Sequence, residues 1–127
     1  MTEETPITIL IAEDQAMTRF GLKCALGAYP DIKVVAECAD GMSAVLQALA
    51  VKADVILMDI GLPKLDGIKA TKQIKDALPE SHIIIFTALE SDDNIFGALH
   101  AGADAYCLKS VSSEDLYTAI KAVRKGG

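Results

Sequence analysis

The sequence has no hydrophobic run long enough to cross a membrane. Its apolar runs are short, namely Ile7–Ala12, Val55–Met58 and Ile83–Phe86, whereas a membrane span requires about 18 or more residues. Residues 1–6 are polar and acidic, so no secretory signal is visible there. We therefore expect a cytoplasmic protein that makes no contact with a membrane.

Basic residues are few relative to acidic ones. The chain has 12 Lys and Arg residues against 18 Asp and Glu residues, which gives a net charge of −6. Proteins that hold DNA by its phosphates usually carry a basic face. We therefore expect no direct binding of nucleic acid by this chain, and the acidic excess favours the binding of cations instead.

Cysteine is also scarce. Cys24, Cys38 and Cys107 are widely spaced, odd in number and lack the paired spacing of a metal site. We interpret them as buried structural thiols in a reducing compartment. The rest of the composition, 51% hydrophobic and 24% charged over 127 residues, is that of one ordinary globular domain.

Short runs that favour strands alternate with stretches of helical spacing. The strand-like runs are Ile7–Ala12, Lys33–Cys38, Val55–Asp59, His82–Thr87 and Ala105–Leu108. Apolar residues recur at helical spacing between and after them, as in Met17, Phe20 and Cys24 or in Leu116, Ile120 and Val123. This alternation predicts an α/β fold, a doubly wound (βα)5 parallel sheet of five strands with right-handed crossovers and helices on both faces.

Some helix ends and loops are also marked in the sequence. Ser112 is suited to cap the last helix, whose first turn is acidic. Asp40–Gly41 and Asp66–Gly67 are typical of loops. On the predicted fourth helix, we expect Phe96 and Leu99 to pack in the core rather than to face a partner.

Polar residues lie at the ends of four predicted strands. Glu13 and Asp14 follow the first strand, Asp59 ends the third, Thr87 ends the fourth and Lys109 follows the fifth. In an open α/β sheet, ligands bind in the crevice outside the carboxyl ends of the strands. Two unit charges ~4 Å apart repel by about 4 kcal/mol at an effective dielectric of about 20. Crowded carboxylates therefore require a cation, or a raised pKa that keeps one of them protonated.

The residue types in this cluster suit phosphoryl transfer. Carboxylate oxygens are the hard ligands that Mg²⁺ prefers, and bound Mg²⁺ keeps waters and leaves room for a phosphate oxygen. Lys109 adds a second positive charge, and the Thr87 hydroxyl can bond a phosphoryl oxygen. A carboxylate nucleophile, a divalent metal and a lysine together predict phosphoryl transfer onto Asp59.

Four segments of the sequence resemble the receiver domains of bacterial two-component response regulators. They are Ile9–Asp14, Leu57–Gly67, Phe86–Ala88 and Ala101–Lys109, and the resemblance runs from Ile7 to Arg124. It implies a flavodoxin-like sheet with strand order 2-1-3-4-5. More narrowly, Ala101–Lys109 followed by Ser110, with the loop Pro30–Ile32, resembles receivers of the NarL/FixJ type that precede a helix-turn-helix DNA-binding domain.

The resemblance implies a role for each residue of the metal site. Asp59 would be the phosphoacceptor, and Glu13 and Asp14 would bind Mg²⁺, or Mn²⁺ in its place, together with Asp59. The backbone carbonyl of Gly61 would complete the protein ligands.

The resemblance also implies phosphoryl contacts and a switch. Thr87 and Lys109 would contact the phosphoryl group, and the small Ala88 would leave its pocket open. Thr87 and Tyr106 would change position between the two states of the switch. Many receivers have proline after the lysine, and Ser110 here leaves the geometry of the Lys109–Ser110 bond open.

The function implied is a phosphorylation switch rather than an enzyme. Its activity would be limited to self-phosphorylation from small acyl phosphates and slow autodephosphorylation. We expect residues 1–127 to form a single receiver domain, with 125–127 marking a cut before an absent helix-turn-helix output domain. The expected partners are a sensor histidine kinase, that C-terminal output domain acting on transcription, and a second copy in a homodimer formed on phosphorylation.

Three other functions share part of this residue pattern. A haloacid-dehalogenase-type phosphatase shares the strand-end Asp, Mg²⁺, Thr and Lys but needs a second Asp where this chain has Gly61. A flavodoxin-like cofactor binder needs a phosphate-cradling loop, whereas the segment 13–15 is acidic. A receiver-like interaction module that takes no phosphate stays open.

Overall fold

The computed structural model describes residues 5–89 and 91–125, in which five strands alternate with five helices. In chain order these are β1 (Ile7–Ala12), α1 (Ala16–Gly27), β2 (Ile32–Cys38), α2 (Gly41–Val51), β3 (Val55–Met58), α3 (Gly67–Ala77), β4 (His82–Thr87), α4 (Asp92–His100), β5 (Ala105–Leu108) and α5 (Ser113–Arg124). All strands are parallel in one sheet of order β2-β1-β3-β4-β5. The predicted fold and strand order are confirmed.

The sheet lies between two apolar layers. Strands β3 and β4 are almost entirely buried because helices cover both of their faces, which is why they consist of continuous apolar residues. Alternate strand residues point to opposite layers. Leu10, Ile56, Met58, Ile83 and Ile85 pack under α2, α3 and α4. Ile9, Ile11, Val55, Leu57 and Ile84 pack under α1 and α5.

Two strand boundaries differ from prediction by one residue. Strand β2 begins at Ile32 rather than Lys33, because Ile32 is buried and pairs with Ile7 in the ladder. Strand β3 ends at Met58, so that Asp59 lies just beyond the strand. The Asp59 N–H still donates to the carbonyl of Ala12 at 3.1 Å, which ties this residue to the end of β1.

The predicted burial of Cys24 on α1 is wrong, and the two apolar residues that precede it at helical spacing are exposed as well. Met17 and Phe20 are 83% and 63% exposed, and Cys24 is exposed too, whereas Leu22 and Leu26 are buried against the sheet. Both sets of residues are apolar and lie at helical spacing. Which set is buried depends on how the β1–α1 connection orients the helix on the sheet, and the period alone does not determine this.

The predicted core packing of two residues on α4 is also wrong. Phe96 and Leu99 are 69% and 51% exposed, and Ala98 is the buried residue of this helix. A helix that contacts the sheet through a small alanine lies close to it, and the larger side chains then point outward.

The two Asp-Gly pairs begin helices rather than only marking loops. Asp40 and Asp66 are N-caps, whose side chains accept hydrogen bonds from the main chain at the start of α2 and α3. Glycine is required at position 67 because the main chain of Asp59 comes so close that a Cβ would overlap its carbonyl. The predicted cap at Ser112 is confirmed, since its Oγ accepts from the Asp115 N–H at 3.0 Å.

The cysteine prediction is partly right. All three thiols are free, and Cys38 is buried and Cys107 half-buried, but Cys24 is exposed on α1. The Lys109–Ser110 bond, whose geometry the sequence left open, is trans like every other peptide bond of residues 5–89 and 91–125. Within those ranges no helix combines the length and apolar character needed to cross a bilayer. The expectations about residues 1–4 and 126–127 fall outside the described residues.

Candidate functional site

The predicted site residues lie at the carboxyl edge of the sheet, where the parallel strands end together. Glu13 and Asp14 follow β1, Asp59 follows β3, Thr87 ends β4 and Lys109 follows β5. Main-chain hydrogen bonds extend the ladders into this region. The Glu13 N–H donates to Cys38 at 3.0 Å and the Lys109 N–H donates to Thr87 at 2.9 Å. The sheet itself therefore sets the positions of these residues.

Three carboxylates meet at this edge. One oxygen from each of Glu13, Asp14 and Asp59 lies within 4.8 Å of the other two. Glu13 and Asp59 are only 1% and 7% exposed, whereas Asp14 is exposed. Buried carboxylates are costly unless a cation or hydrogen-bond donors compensate them.

Lys109 supplies part of that compensation. Its Nζ lies 2.5 Å from Oε1 of Glu13 and 2.9 Å from Oδ2 of Asp59. Burial by itself lowers the pKa of Lys109, but the hydrogen bonds and negative charges of Glu13 and Asp59 outweigh burial and raise it. One ammonium against three ionised carboxylates leaves a charge of −2. A divalent cation that prefers oxygen ligands, such as Mg²⁺, fits this cluster in both charge and donor type.

Gly61 and Ala88 lie next to this cluster in the chain. The Gly61 N–H donates to Oδ1 of Asp59 at 3.4 Å, so this main-chain segment runs beside the carboxylate. Both residues are exposed. The metal role of the Gly61 carbonyl and the phosphoryl-pocket role of Ala88 stay predictions.

The two predicted switch residues are joined through the backbone of Leu89. Oγ1 of the buried Thr87 accepts a hydrogen bond from the Leu89 N–H at 3.3 Å. The Tyr106 hydroxyl donates to the carbonyl of Leu89 at 2.5 Å. No sequence pattern marks Leu89 as a site residue, because its contribution is made by main-chain atoms that every residue has.

Arg19 is a second residue of the site that the sequence pattern does not reveal. Its Nη1 donates to the main-chain carbonyl of Glu13 at 2.7 Å, and its Nε lies 3.6 Å from Oε1 of Glu37. The available signal was a basic residue six positions after the first carboxylate, on the helix that follows. That signal is weak, since a lysine or arginine on a surface helix is ordinary.

The sequence matches a known protein family and is similar to characterised relatives. The family model described as "Response regulator receiver domain" matches residues 9–121. The transcriptional regulatory protein LiaR of Bacillus subtilis (strain 168) is 41% identical to this chain over 120 residues, which cover 94% of this chain and 57% of that protein. The chain therefore spans little more than half the length of this relative.

Solved structures are similar over almost the whole chain. A two-component response regulator of the LuxR family from Aurantimonas sp. SI85-9A1 has a TM-score of 0.91 and 31% identity, covering 96% of this chain and 87% of that one. The response regulator domain of Thermotoga maritima CheB has a TM-score of 0.89 and 32% identity, covering 94% of this chain and 97% of that one.

Proposed function

Because this chain belongs to the response regulator receiver domain family, we propose that it accepts a phosphoryl group on Asp59 and thereby switches an output. Mg²⁺ held by Glu13, Asp14, Asp59 and the Gly61 carbonyl would screen the negative charge of the incoming group. The observation that carries this proposal is the meeting of three carboxylates with one ammonium at the end of the sheet. Lys109 supplies one positive charge beside the Asp59 carboxylate, and a bound divalent cation would supply the second positive charge that stabilises an approaching phosphate.

The transfer of the phosphoryl group requires only the donor and Asp59 as reactants. An oxygen of Asp59 attacks the phosphorus in line with the leaving group, and a new O–P bond forms while the P–N bond of a phosphohistidine, or the P–O bond of an acyl phosphate, breaks. The electron pair of that bond leaves with the donor. Lys109, which is 2.9 Å from Oδ2 of Asp59, lies where it can neutralise charge on the transferred group.

The switch would run through the loop after β4. The Thr87 hydroxyl accepts from the Leu89 N–H, and a phosphoryl oxygen on Asp59 would offer that hydroxyl a strong acceptor for its own proton. If Thr87 turns toward the phosphoryl group, its bond to Leu89 is lost. The Tyr106 bond to the Leu89 carbonyl is then free to change as well. A population shift from 1:99 to 99:1 requires about 5.5 kcal/mol, which a few charge-assisted hydrogen bonds supply.

The proposed output is transcription, because LiaR bears the name of a transcriptional regulatory protein. We propose a sensor histidine kinase as the phosphoryl donor and a C-terminal DNA-binding domain in the full-length protein. A homodimer formed on phosphorylation is part of the same proposal. Control of transcription would require the protein to be in the cytoplasm.

A switch is favoured over a phosphatase of the haloacid-dehalogenase type. That enzyme needs a second Asp two residues after the nucleophile as its general acid, and the residue here is Gly61. With no acid to protonate a leaving group, we expect one phosphoryl group to be taken up per molecule, with slow loss and no rapid turnover.

The test is the mass of the intact protein after incubation with acetyl phosphate. We expect a gain of one phosphoryl group that requires Mg²⁺ and is abolished in Asp59→Asn. The matched control is Asp76→Asn, which removes an exposed carboxylate on α3 that pairs with Lys72 and lies outside the cluster. Labelling of Asp59→Asn at the rate of the unaltered chain would show that Asp59 is not the acceptor.

A further inference from the structure

We infer that Arg19 is a positioning residue for the metal ligands, holding the main chain between Glu13 and Asp14 so that Asp14 faces the cation. This inference rests on the proposed function, since it concerns the Mg²⁺ that the phosphorylation site would use. Arg19 is not one of the residues that would bind the metal or the phosphoryl group.

The guanidinium of Arg19 joins three elements. The residue lies in α1, its Nη1 donates to the Glu13 carbonyl at the end of β1 at 2.7 Å, and its Nε approaches Glu37 of the edge strand β2 at 3.6 Å. The side chain is 23% exposed, so it is packed rather than extended into solvent. The planar fork of arginine suits such simultaneous contacts, which a lysine ammonium cannot reproduce.

The contacted carbonyl belongs to the peptide that joins Glu13 to Asp14. The two carboxylates depend on that peptide to different degrees. The Glu13 carboxylate is held by its own partners, the Gln15 N–H at 2.8 Å and Lys109. In the part of the chain that the structure describes, the exposed Asp14 carboxylate has no hydrogen-bond or ion-pair partner. The place from which the Asp14 side chain extends is therefore set by the main chain alone, and Arg19 holds the adjoining peptide.

Charge alone predicts the opposite effect of removing Arg19. A positive guanidinium near three carboxylates repels an incoming cation, so its loss would strengthen Mg²⁺ binding if nothing else changed. If Arg19 positions the ligands, its loss weakens Mg²⁺ binding instead. The sign of the change in affinity therefore separates the two roles.

The experiment measures the Mg²⁺ dissociation constant of the whole chain by titration calorimetry. For Arg19→Met we expect an increase of about tenfold, the lower end of the effect of removing a group that orients metal ligands. In phosphorylation by acetyl phosphate, the Mg²⁺ concentration for half-maximal rate should rise by the same factor. The rate at saturating Mg²⁺ should stay close to that of the unaltered chain. General unfolding would instead lower this maximal rate, so the two explanations can be distinguished.

Lys23→Met is the matched control. Lys23 also lies on α1 and also pairs with Glu37, at 3.0 Å, whereas the hydrogen bond to the Glu13 carbonyl is made by Arg19. Its loss should leave the dissociation constant unchanged or slightly lower. Should Arg19→Met fail to fold, Arg19→Lys keeps the charge without the fork and is expected to weaken Mg²⁺ binding too.

Binding by Arg19→Met, or by Arg19→Lys if that variant is needed, as tight as that of Lys23→Met would overturn the positioning role and leave the proposed function intact. Failure of the unaltered chain both to bind Mg²⁺ and to take up phosphoryl would overturn the proposed function, and this inference with it.

Discussion

Lys109 and Asp59 are joined by a 2.9 Å hydrogen bond between Nζ and Oδ2, although they lie 50 residues apart in the chain. The same ammonium lies 2.5 Å from Oε1 of Glu13. Because these residues follow three different strands, one side chain connects the ends of β1, β3 and β5. The site is therefore also a structural contact, and changes in it should affect both chemistry and stability.

Removal of the Lys109 ammonium should destabilise the fold in a metal-dependent way. Lys109→Met leaves the buried carboxylates of Glu13 and Asp59 without their cation. We expect the free energy of unfolding in EDTA to fall by about 1–3 kcal/mol, the cost of leaving a buried acceptor unsatisfied. Mg²⁺ should restore much of this loss because it neutralises the same oxygens. Urea denaturation with EDTA and with Mg²⁺ measures both effects.

The control is Lys72→Met, which removes an ammonium from an exposed pair with Asp76 at the same 2.9 Å separation. Exposed pairs of this kind contribute about 0.3–0.5 kcal/mol, and Mg²⁺ should have no effect on the variant. Equal destabilisation of the two variants, unaffected by Mg²⁺, would contradict the role given to Lys109.

Mg²⁺ should stabilise the unaltered chain through Asp14. A ligand present at 100 times its dissociation constant raises the free energy of unfolding by about 2.7 kcal/mol. Asp14→Asn should lose most of that gain, and in EDTA it should be at least as stable as the unaltered chain, because it removes a carboxylate that repels Glu13 and Asp59. Asp92→Asn, an exposed acid in the first turn of α4, should respond to Mg²⁺ as the unaltered chain does. An equal response of Asp14→Asn would exclude Asp14 as a ligand.

The strands could be predicted because strands that are buried on both faces consist of continuous apolar residues, a pattern that is visible in the sequence. Runs such as Ile83–Phe86 must be apolar throughout, since each side chain enters one of the two layers. The grouping of Glu13, Asp59 and Lys109 follows from the same topology, because parallel strands end at one edge. Both predictions needed the direction of the strands and no knowledge of side-chain conformation.

The helical faces were harder to predict because apolar spacing shows that a stripe exists but not which stripe is buried. In α1 the exposed Met17 and Phe20 compete with the buried Leu22 and Leu26 as candidates for the core. The side that faces the sheet is fixed by the loop that enters the helix. Surface apolar residues such as Phe96 are common in folded proteins, so hydrophobicity alone does not imply burial.

The secondary contacts of the site were not predictable from the sequence. Arg19 donates to the main-chain carbonyl of Glu13, and the main chain of Leu89 donates to Thr87 and accepts from Tyr106. Such contacts depend on loop conformation, and the type of the residue that supplies the main-chain atom is unconstrained.

Gly67 should tolerate no side chain. A Cβ there would overlap the Asp59 carbonyl, so that the start of α3 or the segment carrying the phosphoacceptor must shift. We expect Gly67→Ala to lower the free energy of unfolding by about 1–3 kcal/mol or more, as overpacking does. It should also slow phosphorylation, because Asp59 moves. Thermal unfolding and the acetyl phosphate reaction measure the two effects.

Gly21→Ala provides the opposite case. Gly21 lies within α1, and a Cβ at this position would meet nothing within 4 Å. Replacing a glycine inside an exposed helix by alanine gains about 0.5–1 kcal/mol. A Gly67→Ala protein as stable as Gly21→Ala would refute the close approach of α3 to Asp59.

The three cysteines should react with iodoacetamide in the order of their exposure. Cys24 is exposed, Cys107 is half-buried with a pKa raised by burial, and burial together with the charge of Asp40 raises the pKa of Cys38 to about 11. At pH 8 a thiol with a pKa of about 11 is ionised in about one molecule per thousand. Since the thiolate is the nucleophile, Cys38 should react slowest in the folded protein, and its rate should rise about tenfold per pH unit below that pKa. Mass spectrometry of the native protein should show one fast modification that disappears in Cys24→Ser, and equally fast labelling of Cys38 would contradict its burial.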